Sequence, residues 1–354
     1  MFLSHWHLWS DFTPEGSVAR IFQHAAALIH ETVSLLTWPT GGHHPAVLGF
    51  FVLSGFCIHY PFARRALAGE PPPVWRDYFR RRCLRILPVY WAACALGLAF
   101  VAAQAFAPVP SPLLVLHASG SWFDTLVRAT GLAGIYPREI FAGNYILTTV
   151  TVEIFMYAVY PLLYRPMITG HWQLVGVCFL GLHGFAILLL AWFSPYWVFN
   201  SVFMLGIFWY GGALAAQFSL SQRLRLPGRW LLLAWLAFLI TKSVPHFTGL
   251  NLIKQAAWAL VCTLGILWCL RWEHDSTLAA RRPILFLRQL GDVSYSLYAI
   301  HTPAIMLASW SLLHLRISSY PVQLVATMTA SLAATLLVHF TIERRFYQRR
   351  PAPA

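Results

Sequence analysis

Long apolar runs recur along the whole chain and are separated by short polar gaps. Nine of these runs approach the ~20 residues that a helix needs to cross a bilayer. The pattern predicts spanning helices near 45–62, 86–107, 145–164, 172–193, 197–217, 230–246, 252–270, 293–314 and 320–342. The run 230–246 is the weakest, because Lys242 and Pro245 interrupt it. The predicted fold is therefore an all-α integral membrane bundle.

The N-terminal region departs from this pattern. Residues 1–10 form an apolar stub, which we interpret as the remnant of a truncated tenth spanning helix. The segment 18–37 has polar residues on one side of a helical wheel and apolar residues on the other. This arrangement predicts an interfacial amphipathic helix within an extracytoplasmic segment, residues 11–44. Because no flexible linker divides the sequence, residues 1–354 are predicted to form a single domain.

Composition and charge support a membrane location. The chain is 58% hydrophobic and only 10% charged, whereas soluble domains have about 25% charged residues. Its net charge of +13 does not indicate nucleic-acid binding, because the basic residues lie mainly in the gaps between apolar runs. If the gap 63–85 is cytoplasmic, 19 Arg and Lys residues face the cytoplasm and 6 face the other side. This asymmetry predicts a multi-pass protein of the cytoplasmic (inner) membrane with a cytoplasmic tail, residues 343–354. The segment 341–346 (TIERRF) is interpreted as a topology anchor with a local ion pair.

An arginine-rich segment precedes the second predicted span. Residues 77–90 read DYFRRRCLRILPVY and include Arg81, Arg82 and Arg85. Arg82 and Arg85 are three positions apart, so they project from one helix face. Guanidinium groups bind phosphate oxygens in a bidentate way that lysine cannot match. The segment therefore indicates either a topology anchor or a site for a phosphate-bearing cytosolic ligand such as coenzyme A.

One carboxylate, Glu153, lies inside the apolar run 145–164. A charged group at this depth is costly, so it either faces a polar cavity with a functional role or bonds to a neighbouring helix.

In the first run, the small residues Ser54 and Gly55 lie among bulky ones, which predicts close packing of two helices.

A polar stripe is predicted in the run 293–314. Ser294, Tyr298 and His301 follow one another at +4 and +3, so they share a helix face. Such a stripe can line a substrate path, although His301 can equally be a satisfied buried histidine. Asp292 has the side chain of a typical N-cap and is predicted to start this helix.

Four motifs in this order resemble those of the acyltransferase-3 family of membrane O-acyltransferases, which acylate exported sugars, lipopolysaccharide, glucans and macrolides. They are FFVLSGF at 50–56, the arginine-rich segment ending in RILPVY, the helix around Glu153, and SYSLYAIH at 294–301. The resemblance extends from about Leu48 to Phe346. It implies transfer of an acyl group, expected to be acetyl, from cytosolic acyl-CoA to a hydroxyl of a carbohydrate or glycolipid acceptor. Cell-surface polysaccharide and lipopolysaccharide are acceptors of this kind.

The resemblance also implies roles for individual residues. Arg82 and Arg85 match the family's Arg-x-x-Arg element, which is implicated in the acyl donor, and Arg81 lies beside them. These arginines are expected to bind the phosphates of coenzyme A. Glu153 is expected to polarise or orient the reacting groups, and Tyr298 and His301 to line the acyl path with Ser294. Acyl-CoA would be a co-substrate, and neither a bound cofactor nor a metal is expected.

The sequence departs from the family pattern at two places. The family's first helix has an arginine and, eleven positions later, an essential histidine, whereas Arg20 and His30 are ten apart and lie outside the predicted spans. His5 ends an apolar stub, as that histidine should, so His5 is the favoured general base and His30 the alternative. Thr148 and Thr149 replace the usual Trp-Ser pair before the glutamate.

Two other classes of protein compete with the enzyme. A transporter or flippase of a sugar-containing substrate could use Glu153 and His301 as a proton relay. Its expected signature, helices broken by Gly or Pro at matched positions in two halves, is not evident in the sequence. A non-catalytic membrane scaffold would need neither the arginine triplet nor the buried glutamate.

Overall fold

A computed structural model describes residues 21, 24, 25, 28, 45–120, 122–132, 143–189, 198–220, 228–242, 248–273, 282–317 and 319–347. The four described residues before position 45 are helical and exposed. The predicted stub 1–10, most of the amphipathic segment 18–37, and both histidine candidates, His5 and His30, lie outside the described residues.

Throughout the described residues, the regular elements are helices, which confirms the all-α prediction. They are α1 (Pro45–Leu67), α2 (Trp75–Phe106), α3 (Pro112–His117), α4 (Trp122–Ala129), α5 (Leu147–Ile168), α6 (Trp172–Leu189), α7 (Val198–Leu220), α8 (Gly228–Lys242), α9 (Thr248–Glu273), α10 (Arg282–His314), α11 (Tyr320–Val338) and α12 (Arg344–Tyr347). A π-helical turn, His339–Glu343, joins α11 to α12.

Six described helical segments are long and apolar enough to cross a membrane. They are Ala46–Leu67, Trp75–Phe106, Leu147–Ile168, Trp172–Leu189, Val202–Leu220 and Pro321–Phe346, and each coincides with a predicted run. The other three predicted runs do not qualify within the described residues. Two of them correspond to the shorter apolar helices Arg229–Ile240 and Ala257–Leu270, and the third lies in α10, which contains the polar stripe. The predicted count of nine spans plus a truncated tenth is therefore not confirmed.

The described residues divide into two compact units, and we treat each separately. The Glu153 unit contains the described parts of residues 33–78 and 152–285. The His301 unit contains the described parts of residues 1–32, 79–151 and 286–354.

In the Glu153 unit, helices α1 and α7 touch through their backbones. A Cβ atom on Gly55 would lie 1.9 Å from the carbonyl oxygen of Trp209, and one on Gly212 would lie 1.8 Å from that of Val52. Any side chain at either glycine would overlap the facing helix. Close packing at Gly55, predicted from the sequence, is thus confirmed.

In the His301 unit, hydrogen bonds and apolar contacts hold α10 beside α2. The Tyr295 hydroxyl donates to the carbonyl oxygen of Ile86 at 3.0 Å, and the Trp310 indole donates to that of Ala107 at 2.9 Å. An apolar cluster that includes Phe100 fills the space between these bonds. The position of α10 is therefore fixed at two levels along its length.

The start of α10 corrects one prediction. The helix begins at Arg282, so Asp292 lies inside it and is not an N-cap. Pro283 suits the first turn of a helix, where no backbone donor is needed. The following Leu, Arg and Gln residues are good helix formers, which explains why the helix extends upstream of Gly291.

Candidate functional site

Glu153 lies inside α5 and is only 5% exposed. The Ser54 hydroxyl of α1 donates to its Oε1 atom at 3.1 Å, and the Tyr157 hydroxyl, one turn along α5, donates to the same oxygen. Hydroxyl donors stabilise a carboxylate away from water. Ser54 therefore does more than permit close packing, because it ties α1 to the buried acid.

A proline one turn beyond Tyr157 alters the backbone of this site. Pro161 has no N–H group, so the carbonyl oxygen of Tyr157 lacks its usual donor within the helix. The Tyr78 hydroxyl donates to that oxygen at 3.2 Å. Tyr157, which donates to Glu153, is thus itself bound through its carbonyl oxygen by Tyr78, a residue outside α5.

A second buried polar cluster in the Glu153 unit escaped the sequence analysis. His59 is fully buried, with Nε2 2.9 Å from the Gln217 Oε1 atom and Nδ1 3.1 Å from the Tyr160 hydroxyl. Because an amide oxygen only accepts, Nε2 carries the hydrogen and Nδ1 accepts from the tyrosine. A polar residue inside the first apolar run was the available signal, but its partners are distant in sequence.

The predicted arginine site lies near the start of α2. Arg82 is half-buried, whereas Arg81 and Arg85 are exposed. All three belong to the part of α2 in the His301 unit. Their role in binding a donor stays a prediction.

The structure does not keep the predicted polar stripe together. Ser294 is exposed and donates to the carbonyl oxygen of Gly291 at 2.7 Å. Tyr298 is half-buried, and its hydroxyl contacts the hydroxyl of Thr149 at the start of α5. Only His301 of the three is fully buried, so Ser294 does not share the environment of the other two.

The His301 imidazole is oriented by its own helix. Its Nδ1 atom lies 2.9 Å from the carbonyl oxygens of both Leu297 and Tyr298. Carbonyl oxygens only accept, so Nδ1 carries the hydrogen and Nε2 presents a lone pair. In this neutral tautomer, the Nε2 atom can accept a hydrogen bond.

Glu343 has partners that the sequence did not indicate. Its Oε2 atom accepts from the Ser296 hydroxyl at 2.6 Å and lies 2.8 Å from the Nδ1 atom of His339. The π-helical turn His339–Glu343 brings these groups together. Within its own helix Glu343 is thus hydrogen-bonded to His339, one turn earlier in the chain, and its carboxyl group also joins the turn to α10.

Two basic groups outside the candidate spans are buried in the His301 unit. Burial lowers the pKa of His117 to about 4, so this imidazole is neutral at pH 7. Burial also lowers the pKa of the Arg128 guanidinium, which donates to the carbonyl oxygen of Asn144 at 2.7 Å. Desolvation outweighs the opposing effect of nearby Asp124.

The sequence matches the profile of an acyltransferase domain, that of the acyltransferase-3 family, over residues 5–342. The chain belongs to the acyltransferase-3 family. No curated protein and no solved structure matches it. Together with the six apolar helices, family membership makes this acyltransferase-3 protein a membrane protein with an acyltransferase domain.

Proposed function

We propose that the protein is a membrane-bound O-acyltransferase. It moves an acyl group, in the simplest case acetyl, from cytosolic acyl-CoA to a hydroxyl of a carbohydrate or glycolipid acceptor. The observation that carries the proposal is the buried Glu153 carboxylate, which two hydroxyl groups hold inside an apolar helix of an acyltransferase-3 protein. Placing an acid inside an apolar membrane helix has a high free-energy cost. Ionisable residues at such positions therefore mark functional sites.

The proposed chemistry needs a base and an orienting acid. A histidine accepts the proton of the acceptor hydroxyl as that oxygen attacks the thioester carbonyl, and it returns the proton to the departing thiolate. His5 is the proposed base and His30 the alternative; the family match covers both. Glu153 is the proposed acid that polarises or orients the reacting groups.

The donor is proposed to bind at the start of α2. Arg81, Arg82 and Arg85 hold the phosphates of coenzyme A, which suits the exposure of Arg81 and Arg85 to solvent. Placing this segment and the C-terminal tail in the cytoplasm satisfies the positive-inside rule. The protein then belongs to the cytoplasmic (inner) membrane, with Tyr298 and His301 along the acyl path.

A transporter or flippase is the second candidate function. The observation that favours it is the His59 cluster, which with Glu153 places two ionisable side chains inside the apolar helices of one unit. Buried ionisable residues of this kind can relay protons. A transporter would move a sugar-containing substrate without consuming acyl-CoA.

Purified protein in lipid nanodiscs separates the two functions. It is incubated with radiolabelled acetyl-CoA and membrane glycans from the producing cell, and both free coenzyme A and labelled glycan are measured. Acyl transfer predicts equal amounts of the two products, with the label released by mild alkali as expected for an ester. Transport is measured with the same protein in closed proteoliposomes, and transport of a labelled sugar lipid there without release of coenzyme A would overturn the proposal.

A further inference from the structure

Pro303 interrupts the hydrogen bonding of α10 beside the candidate acyl path. In a regular helix the N–H group of residue 303 would donate to the carbonyl oxygen of Ala299, four residues earlier. Proline has no N–H group, so that carbonyl loses its helical donor. Ala299 directly follows Tyr298 and lies two positions before His301.

Asn144 supplies a donor to this carbonyl from a distant part of the chain. Its Nδ2 atom donates to the Ala299 oxygen at 2.9 Å, and the residue is fully buried. Because a carbonyl oxygen only accepts, the amide must present its NH₂ group here. A buried carbonyl without a partner would destabilise the helix, so this contact compensates for the proline.

The turn that contains Asn144 is held on several sides. Arg128 donates to the Asn144 carbonyl oxygen at 2.7 Å, and the backbone N–H group of Gly143 donates to that of His117 at 2.9 Å. Gly143 has φ +78°, and a Cβ atom there would lie 2.3 Å from the carbonyl oxygen of Gly97 in α2. The position of the Asn144 amide is therefore fixed by α2, α3 and α4.

The carbonyl that Asn144 binds belongs to the stretch of α10 that orients His301. The His301 Nδ1–H group donates to backbone oxygens immediately before Ala299, those of Leu297 and Tyr298. If the backbone at Ala299 moved, both acceptors would move with it. The direction of the Nε2 lone pair therefore depends on the same short segment.

We propose that Asn144 is a positioning residue for His301. Its side-chain amide replaces the N–H group that Pro303 lacks, and it keeps residues 297–303 in the geometry that points Nε2 of His301 along the acyl path. This inference rests on the proposed function, in which His301 lines that path. The Glu153 unit contains the same arrangement, where the Tyr78 hydroxyl donates to the Tyr157 carbonyl freed by Pro161.

A double-mutant cycle in the full chain, reconstituted in nanodiscs, tests the coupling. Hydrogen exchange over residues 298–302 is measured in the unaltered protein, Asn144→Ala, Pro303→Ala and the double variant. Asn144→Ala is expected to speed exchange by about 10-fold, the size of one buried hydrogen bond. In the Pro303→Ala background the restored N–H group binds Ala299, so adding Asn144→Ala should change exchange by less than about twofold.

Kinetics distinguish positioning from general stability. Asn144→Ala should lower kcat about 10-fold and leave the KM for acyl-CoA within about twofold, because donor binding lies elsewhere. If Asn144→Ala fails to fold, Asn144→Asp keeps the shape of the side chain. Its kcat, expressed relative to that of the unaltered protein at the same pH, should rise as the pH is lowered, because the protonated carboxyl can donate to Ala299. The control Gln104→Ala removes another buried amide of the same unit, and its effect should be identical with and without Pro303→Ala.

The outcomes separate this inference from the proposed function. An effect of Asn144→Ala that is equal in both backgrounds, or absent, overturns the positioning role even when the unaltered protein transfers acyl groups. Coupled exchange in a protein that never releases coenzyme A supports the link between Asn144 and α10, but it contradicts the proposed enzyme.

Discussion

In the Glu153 unit and in the His301 unit, the buried side chain of the candidate site lies next to a stretch of helix that a proline alters. In the Glu153 unit, hydroxyl groups from two side chains, Ser54 and Tyr157, hold the functional group. In the His301 unit, backbone carbonyls of the same helix hold it, and a distant amide, Asn144, supports that backbone. The first site therefore depends on which side chains are present, and the second on the path of the main chain.

This difference predicts different sensitivities to mutation. At Glu153, loss of the acid should affect activity directly and leave the helices intact. At His301, changes in residues that never contact a substrate should alter the direction of the imidazole.

The largest effect is expected from Glu153→Gln. The amide keeps the size of the side chain but lacks the acid group that is proposed to polarise the reacting groups, so kcat should fall about 100-fold or more. Coenzyme A release from acetyl-CoA measures the change. Glu70→Gln is the matched control, because Glu70 is an exposed acid of the same unit, paired with Arg65. Similar losses in both variants would show that Glu153 has no special role.

A smaller effect is expected from the double variant Arg82→Ala/Arg85→Ala. A charge-assisted phosphate contact contributes about 1.5–3 kcal/mol, so loss of the one phosphate contact that the pair is proposed to share should raise the KM for acyl-CoA about 10- to 150-fold. The control Arg76→Ala/Arg80→Ala removes the same charge from exposed positions of the same helix. If both doubles raise the KM equally, the arginines act through net charge alone and the proposed donor site is wrong.

The pH dependence of stability tests the His301 unit without any assay of activity. The pKa of His117 is lowered to about 4 in the folded protein, against 6.5 when unperturbed, so acid protonates the unfolded state first. The contribution of His117 is full above pH 6.5 and declines as the pH falls towards 4. Between pH 7 and pH 5 the unfolding free energy should fall by about 2 kcal/mol more in the unaltered protein than in His117→Gln. If the unfolding free energy fell by the same amount in both proteins between pH 7 and pH 5, this prediction would be wrong.

The smallest effect is expected at Pro161. It tests whether the Glu153 unit, like the His301 unit, uses a distant side chain to replace the N–H group that a proline lacks. Tyr78→Phe removes the donor to the Tyr157 carbonyl and should lower the unfolding free energy by about 1 kcal/mol. In a Pro161→Ala background, the restored N–H group should bind that carbonyl, and the loss should become smaller. Thermal denaturation in nanodiscs measures both values. Tyr90→Phe, which removes a hydroxyl donor to the Arg128 carbonyl, should show no such dependence on Pro161→Ala.

Sequence reasoning located the helices and Glu153 because each has a local signal. Apolar runs of sufficient length mark spans, and a lone acid in such a run is conspicuous. The predicted number of spans is not confirmed, because the described apolar helices within 230–246 and 252–270 are shorter than a full span. The prediction that Asp292 is an N-cap was wrong, because aspartate also occurs inside helices. Here the residues upstream of Asp292 are good helix formers, and the helix begins at Arg282.

The partners of the site could not be predicted from local pattern. Asn144 and Ala299 are 155 positions apart, and His59 and Gln217 are 158 apart. Such pairs depend on how helices pack, and no periodicity within one run specifies them. Pro161 and Pro303 were the missed signal, since each leaves a carbonyl oxygen that accepts from a distant side chain.

The π-helical turn His339–Glu343 has a consequence for insertions and deletions in the last helix. A π turn accommodates one extra residue, and each residue advances a helix by about 100°. Arg344 and Arg345 are therefore out of phase with the faces of α11 by about that angle. Deleting one residue of the turn would restore a regular helix, rotate both arginines to a new side, and carry Glu343 away from Ser296. Inserting or deleting one residue in this turn would thus rotate Arg344 and Arg345 about the helix axis.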